Sequence, residues 1–241
     1  MIEVQGLTKY YGDLAAVTDL SFAVRAGEVL GLVGPNGAGK TTTLRSIVGI
    51  INPTSGSIRI AGHDLVRDPL AAKRMVSFVP DDPKLFDHLT VEEHLRFVGR
   101  IYEVEDVHSK IDILLEEFEL LEKRHVLPDE LSRGMKQKLA IACGLIHRPK
   151  AILFDEPMTG LDPAGIRRMK STITAQARAG GAIILSSHLL HLVEELCTRV
   201  LVIQNGRKVA VGSLSDIIAS QPELEGQGLE DVFLALTEDR A

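Results

Sequence analysis

The sequence predicts an α/β fold with a mostly parallel sheet, an antiparallel β flank and an inserted all-helical subdomain. Three observations carry that expectation. Short runs rich in Val and Ile recur between helical patterns, at residues 28–33, 57–60, 76–79, 151–154, 182–185 and 200–203. Strands that are apolar on both faces belong to a sheet covered by helices on both sides. The stretches IEVQGLTKYYG and VLVIQNGRKVAVG alternate more and carry turn signals, notably Asn205-Gly206, so each is expected to form an antiparallel hairpin. Between Pro83 and Pro149 the strand signals vanish and apolar residues fall at helical spacing, which predicts a helical subdomain over 83–149 inserted into a single domain spanning 1–241. After Gly212 the tail, 213–241, is helical again through LSDIIAS and LEDVFLALTED, with a polar linker between them. In the last segment Leu229, Val232, Phe233 and Leu236 make one apolar stripe, suited either to packing on the core or to a partner surface.

Bulk properties narrow the function. A chain of 241 residues can bury a sizeable core, and a net charge of −6 offers no global attraction to nucleic acid or anionic lipid. The first ten residues carry charges and no apolar signal region, and no apolar run approaches membrane-spanning length, so a cytoplasmic protein is expected. The two cysteines, Cys143 and Cys197, lack metal-ligand spacing and read as small buried thiols.

The loop GPNGAGKTT, residues 34–42, matches GxxxxGK[ST] and stands between the strand EVLGLV and the helical TTLRSIVGI. That context is what a phosphate-binding loop requires, and it identifies the α/β core as that of a P-loop NTPase. Backbone N–H groups of Gly34, Pro35, Asn36, Gly37, Ala38 and Gly39 (Pro35 excepted, which has none) converge on phosphate oxygens where the glycines permit it. Lys40 reaches the β- and γ-phosphates, Thr41 gives its hydroxyl to Mg²⁺, and Thr42 continues the helix start. ATP or GTP with Mg²⁺ is therefore the expected ligand.

The run AILFDEP ends an apolar strand in two adjacent carboxylates. Strand alternation sends consecutive side chains to opposite faces, so Asp155 and Glu156 share a site only if the chain bends there. Asp155 suits the Mg²⁺ shell beside Thr41, and Glu156 suits a general base that activates water. His188 closes another buried strand, IILSSH, where an imidazole can bond a γ-phosphate oxygen or orient the water.

Taken in order, these motifs resemble the nucleotide-binding subunit of an ATP-binding-cassette (ABC) transporter over nearly the whole chain. GPNGAGKTT resembles the Walker A loop, ILFDE the Walker B strand, LSRGMKQ at 131–137 the ABC signature, TGLD at 159–162 the D-loop, and His188 the switch histidine. The resemblance implies an ATPase whose two cassettes, as homodimer or heterodimer, pack head to tail and share ATP. Ser132, Arg133, Gly134, Met135 and Asp162 would then face the partner's ATP, with the helix 132–146 aiming its dipole at it. Tyr11 resembles the aromatic that stacks on adenine, with Val17 beside it. The family's signature usually reads LSGGQ; Arg133 and Met135 depart from it, and the SxGMxQ form resembles the exporter branch for drugs, lipids, polysaccharides or peptides. Asp81 stands where the family commonly carries glutamine, and a carboxylate there could join Thr41 and Asp155 around the metal through water. The resemblance further implies separate integral membrane permease subunits, a place on the cytoplasmic face of the membrane, and no nucleic-acid partner. A non-transport ABC ATPase is the alternative, but its long coiled-coil insertion or tandem cassettes are absent here; an ordinary P-loop kinase would leave LSRGMKQ without a role. A weakly catalytic regulatory subunit remains a further alternative because of Asp81.

Overall fold

In the computed structural model, residues 1–219, 226 and 228–238 are described. Strand β1 (Ile2–Tyr11) buries Ile2 and Val4 by alternation and Leu7 after a register shift, and pairs antiparallel with β2 (Leu14–Val24), joining Ile2 to Val24. On its other edge β1 pairs with β4 (Ser55–Ile60), which in turn pairs with the two-residue β5 (His63–Asp64). The run at 57–60, expected in the parallel sheet, thus belongs to the antiparallel flank. Its burial explains why: Ile58 and Ile60 face the core while Ser57 and Arg59 face solvent, a one-sided pattern that suits an antiparallel sheet.

The second sheet runs β10-β9-β3-β8-β7-β6. Strands β3 (Val29–Val33), β6 (Val76–Val79), β7 (Ala151–Asp155), β8 (Ala182–Ser186) and β9 (Arg199–Gln204) are mutually parallel. Every residue of β3, β7 and β8 is buried. Only β10 (Arg207–Gly212) is antiparallel, turned by Asn205 and Gly206 at φ 49° and 73°, the paired left-handed conformation of a type I′ hairpin. Glu28, expected as the first residue of β3, sits just before it and accepts hydrogen bonds from Arg25 N (2.7 Å) and Arg199 Nη1 (2.7 Å).

Strand alternation divides the sheet's contacts between two layers. Leu30, Leu32, Leu153, Ile184 and Leu201 pack with the antiparallel flank, the helix α1 (Lys40–Ile47) and the short α2 (Pro69–Arg74). Ile152, Phe154, Ile183 and Leu185 pack on the other face with α6 (Pro163–Arg178) and with the helices between β6 and β7. Those helices are α3 (Val91–Ile101), α4 (Val107–Glu117) and α5 (Arg133–Leu145), joined through 3-10 turns at Leu121–Lys123 and Pro128–Glu130. Leu95, Ile111, Leu115, Leu139 and Ile141 form their shared core, continuous with the sheet face.

A third apolar cluster lies beneath α7 (Leu190–Leu196), α8 (Leu214–Ala219) and α9 (Leu229–Glu238). Leu229, Val232 and Leu236 are buried there and Phe233 packs partly against them, so this stripe is spent on the core rather than on a partner. Ser220, most of the polar linker and the last residues of the tail lie outside the described residues. Among the described residues no helix is long and apolar enough to cross a membrane.

Candidate functional site

The phosphate loop leaves β3 and enters α1 through Gly39, which caps the helix at φ 101° without any side-chain cap. The first-turn N–H groups therefore stay open to an anion, and Gly37 at φ 79° supplies the second left-handed position. Two glycines are fixed by packing as well as by phosphate chemistry. A Cβ on Gly34 would lie 2.3 Å from Ile203 O, and one on Gly39 would lie 2.5 Å from Ala16 O. Ala38 is buried, while Pro35, Asn36 and Gly37 form the exposed crest, and Lys40, Thr41 and Thr42 are half-buried at the helix start.

Lys40 folds back over this loop, its Nζ donating to Gly34 O (2.6 Å) and Pro35 O (3.1 Å). Burial pulls its pKa below the usual lysine value, opposed by the nearby charges of Glu156 and Asp155. The loop floors a cleft of about 410 Å³, walled by Tyr11, Leu14, Ala15 and Ala16 on one side and by Asp155 and Glu156 on the other.

Asp155 ends β7 nearly buried, and its Oδ2 accepts a 2.9 Å hydrogen bond from Thr41 Oγ1. Glu156 follows at φ +51°, in the left-handed region, with its N–H bonded to Ser186 O at 3.0 Å. The chain thus bends where strand alternation would have parted the two carboxylates, and both reach the cleft. Glu156 Oε2 lies 2.7 Å from His188 Nδ1 and accepts from His188 N at 3.2 Å. His188 is therefore held by the carboxylate rather than directed away from it.

The signature residues lie outside this cleft. Ser132 caps α5, its Oγ accepting from Met135 N at 3.3 Å. Gly134 comes so close to the loop after β7 that a Cβ would meet Gly160 O at 3.2 Å. Asp162, expected to face a partner's nucleotide, uses Oδ1 to cap α6 through Gly165 N at 2.7 Å. Arg133 Nη2 pairs with Asp81 Oδ1 at 3.3 Å.

Two expectations shift here. Asp81 does not line the cleft with Thr41 and Asp155; its partner is Arg133, on the helical side of the loop after β6. Val17 is 1% exposed and packs beside Gly39 beneath the cleft wall, so the wall next to Tyr11 is made by Leu14, Ala15 and Ala16 instead. The sequence reading passed over these three because β2 is a weakly patterned strand; a tight turn at Gly12-Asp13 followed by small residues was the available signal. Gln137, which closes LSRGMKQ and drew no role from the motif, is buried at 1% exposure, and its Nε2 donates to Pro80 O at 3.3 Å.

Comparison with known proteins gives a consistent answer. The family model described as ABC transporter matches residues 17–159. The chain is similar to the ABC-type transporter ATP-binding protein EcsA of Bacillus subtilis (strain 168), 32% identical over 243 residues, covering 100% of this chain and 98% of EcsA. It is 39% identical to the Nod factor export ATP-binding protein I of Paraburkholderia xenovorans, covering 91% of this chain and 73% of that protein. A solved ATP binding subunit of an ABC transporter superposes with a TM-score of 0.93 at 35% identity, covering 98% of this chain and 99% of the other. An ATP-binding cassette solved as a dimer in a post-hydrolysis state with ADP and Pi shares the fold, with a TM-score of 0.81 at 23% identity over 89% of this chain and 99% of that one. With its phosphate loop, acidic strand end and signature helix in the places described, the chain belongs to the ABC transporter family, as an ATP-binding subunit that hydrolyses ATP.

Proposed function

We propose that this subunit powers export through separate integral membrane permease subunits, by pairing with a second cassette when ATP binds and parting after hydrolysis. One observation carries the reading: the cleft that holds the phosphate loop, Tyr11, Asp155 and Glu156 contains none of the residues 132–135. A single chain then offers two half-sites, and a head-to-tail pair completes both. On this reading residues 83–149 move as one helical subdomain and 213–241 form a tail.

In the closed pair, Tyr11 stacks on adenine and Lys40 exchanges its two carbonyl partners for phosphate oxygens. The capped first turn of α5 in the partner presents Ser132 and the N–H of Gly134 to the γ-phosphate. Thr41 and Asp155 offer only hard oxygen donors, and among the described residues no group of three His, Cys, Asp or Glu could hold a metal by itself. That donor set fits Mg²⁺, which keeps waters and substrate phosphates in its shell and would neutralise charge developing on the phosphates. Glu156 takes a proton from water while the water oxygen bonds the γ-phosphorus and the bond to the bridging oxygen breaks, leaving ADP and phosphate. His188, hydrogen-bonded to the same carboxylate, holds Glu156 toward the water.

Export is the direction in the printed name of the Paraburkholderia relative. The permease dock would be the groove of about 470 Å³ between the α/β core and the inserted helices, lined by Pro80, Phe86, Tyr102 and His147, and the cassette would sit on the cytoplasmic face. Glu156→Gln should cut turnover by about 10²–10⁴-fold and, by light scattering, yield a dimer with Mg-ATP but not with ADP. A Glu156→Gln chain that stays monomeric with Mg-ATP overturns the composite site.

A further inference from the structure

Two of the three positions at which the chain departs from the family's pattern, Arg133 in the signature and Asp81 in the loop after β6, are 52 residues apart in sequence and meet in space. We infer that Arg133 is an exchangeable phosphate ligand, held by Asp81 in the single chain and released to a phosphate of the partner's ATP when two cassettes close. This rests on the composite-site reading and adds to it a competitor built into the chain.

Four observations support the exchange. The pair is loose, with N···O 3.3 Å and side chains 61% and 46% exposed, which is the regime where ion pairs contribute little and solvent or another anion can replace a partner. Arg133 follows the cap Ser132 directly, in a first turn that holds no acidic residue, so its guanidinium extends the positive end of α5. The side chain lies along Gly160, where a Cβ would meet Arg133 Cδ at 3.1 Å and Nε at 3.2 Å, so the glycine leaves the arm room beside the loop after β7. The carboxyl of Asp82, the next residue, is held below the usual carboxylate range chiefly by Lys84, with smaller contributions from Arg133 and Lys136. The loop after β6 therefore sets two carboxylates before the same cations that an incoming phosphate would use.

The buried amide of Gln137, bonded to Pro80 O, keeps α5 attached to this loop whether or not the ion pair is made. Exchange then needs a new arginine rotamer and not a detached subdomain. Arginine suits the step because its planar fork donates to carboxylate and phosphate oxygens alike.

The test is a double-mutant cycle in the Glu156→Gln chain, reading the Kd of the Mg-ATP dimer by light scattering across protein concentration. Asp81→Asn removes the competitor and should tighten the dimer about two- to five-fold per site. A homodimer has two such sites, which gives about four- to twenty-five-fold overall. Arg133→Ala should loosen the dimer, and Asp81→Asn added to it should change nothing; Asp81→Glu, which keeps the charge, should restore the parent Kd. A dimer that Asp81→Asn does not tighten, or tightens equally without Arg133, overturns the exchange and leaves the composite site standing. A parent chain that forms no Mg-ATP dimer overturns both.

Discussion

Glu156 and His147 show how much of this molecule turns on single positions. A left-handed conformation costs a non-glycine residue about 1–2 kcal/mol, and at Glu156 the bonds to Ser186 O and His188 offset it while carrying the carboxylate into the cleft. His147, just past α5, stacks on Tyr102 with ring centroids 3.8 Å apart, and neither ring nitrogen makes a hydrogen bond of good geometry, the Val76 backbone giving only a weak interaction that opposes the effect of burial. Burial pushes its pKa down to about 4 from 6.5. The folded state therefore resists a proton that the unfolded chain accepts, so stability is fully present above pH 6.5 and is lost as pH falls toward 4. The loss is at most about 3 kcal/mol, less what solvent screening removes. His147→Phe keeps the stack and should flatten stability against pH across that window in urea titrations; an unchanged slope would assign the acid sensitivity to other groups.

Among the elements, α3 and α5 begin in different ways. Thr90 and Glu93 form a reciprocal capping box on α3: Thr90 Oγ1 accepts from Glu93 N (3.3 Å), and Glu93 Oε2 accepts from Thr90 N (2.8 Å). The Glu93 carboxyl is accordingly held below the usual range, chiefly by the Thr90 backbone bond. Thr90→Ala should cost about 1 kcal/mol and lower Tm by about 2–4 °C in a chain of this size, with ATP turnover kept; calorimetry and an ATPase assay check both. At α5 the single cap Ser132 leaves more of the first turn open, consistent with an end that receives an anion. The Thr-x-x-Glu spacing of the box lies in the sequence at 90–93, whereas its closure at α3 is a matter of side-chain geometry.

Across the whole molecule the two sheets and the phosphate loop are joined at one turn. Gly206 donates to Ala38 O (3.1 Å) and accepts from Thr18 N (2.8 Å), and a Cβ there would lie 2.7 Å from Ala16 O at a φ of 73°. Gly206→Ala should therefore destabilise the fold by about 1–3 kcal/mol and shrink the rise in Tm that Mg-ATP produces. Asn205→Gly, in the same turn without the close contact, is the control; equal loss in both variants would show that the turn matters only locally. The hairpin itself was legible as Asn-Gly between apolar runs, but its seat against Ala16 and Ala38 was not, because those residues lie 190 and 168 positions before Gly206 in the chain.

What the sequence by itself determined is whatever depends on local spacing: the phosphate loop between strand and helix, the buried Val/Ile strands, the helical stretch between β6 and β7, and the order of the motifs. Periodicity and motif spacing are properties of neighbours along the chain, so they survive without coordinates. Tertiary structure decided the rest. It put β4 on the antiparallel flank, because one-sided burial only shows once a neighbour is chosen. It turned Glu156 back beside Asp155, because a left-handed residue breaks the alternation that sequence reading assumes. It buried Val17 and brought Arg133 to Asp81, because which side chains meet across the fold is fixed by the packing of elements distant in sequence.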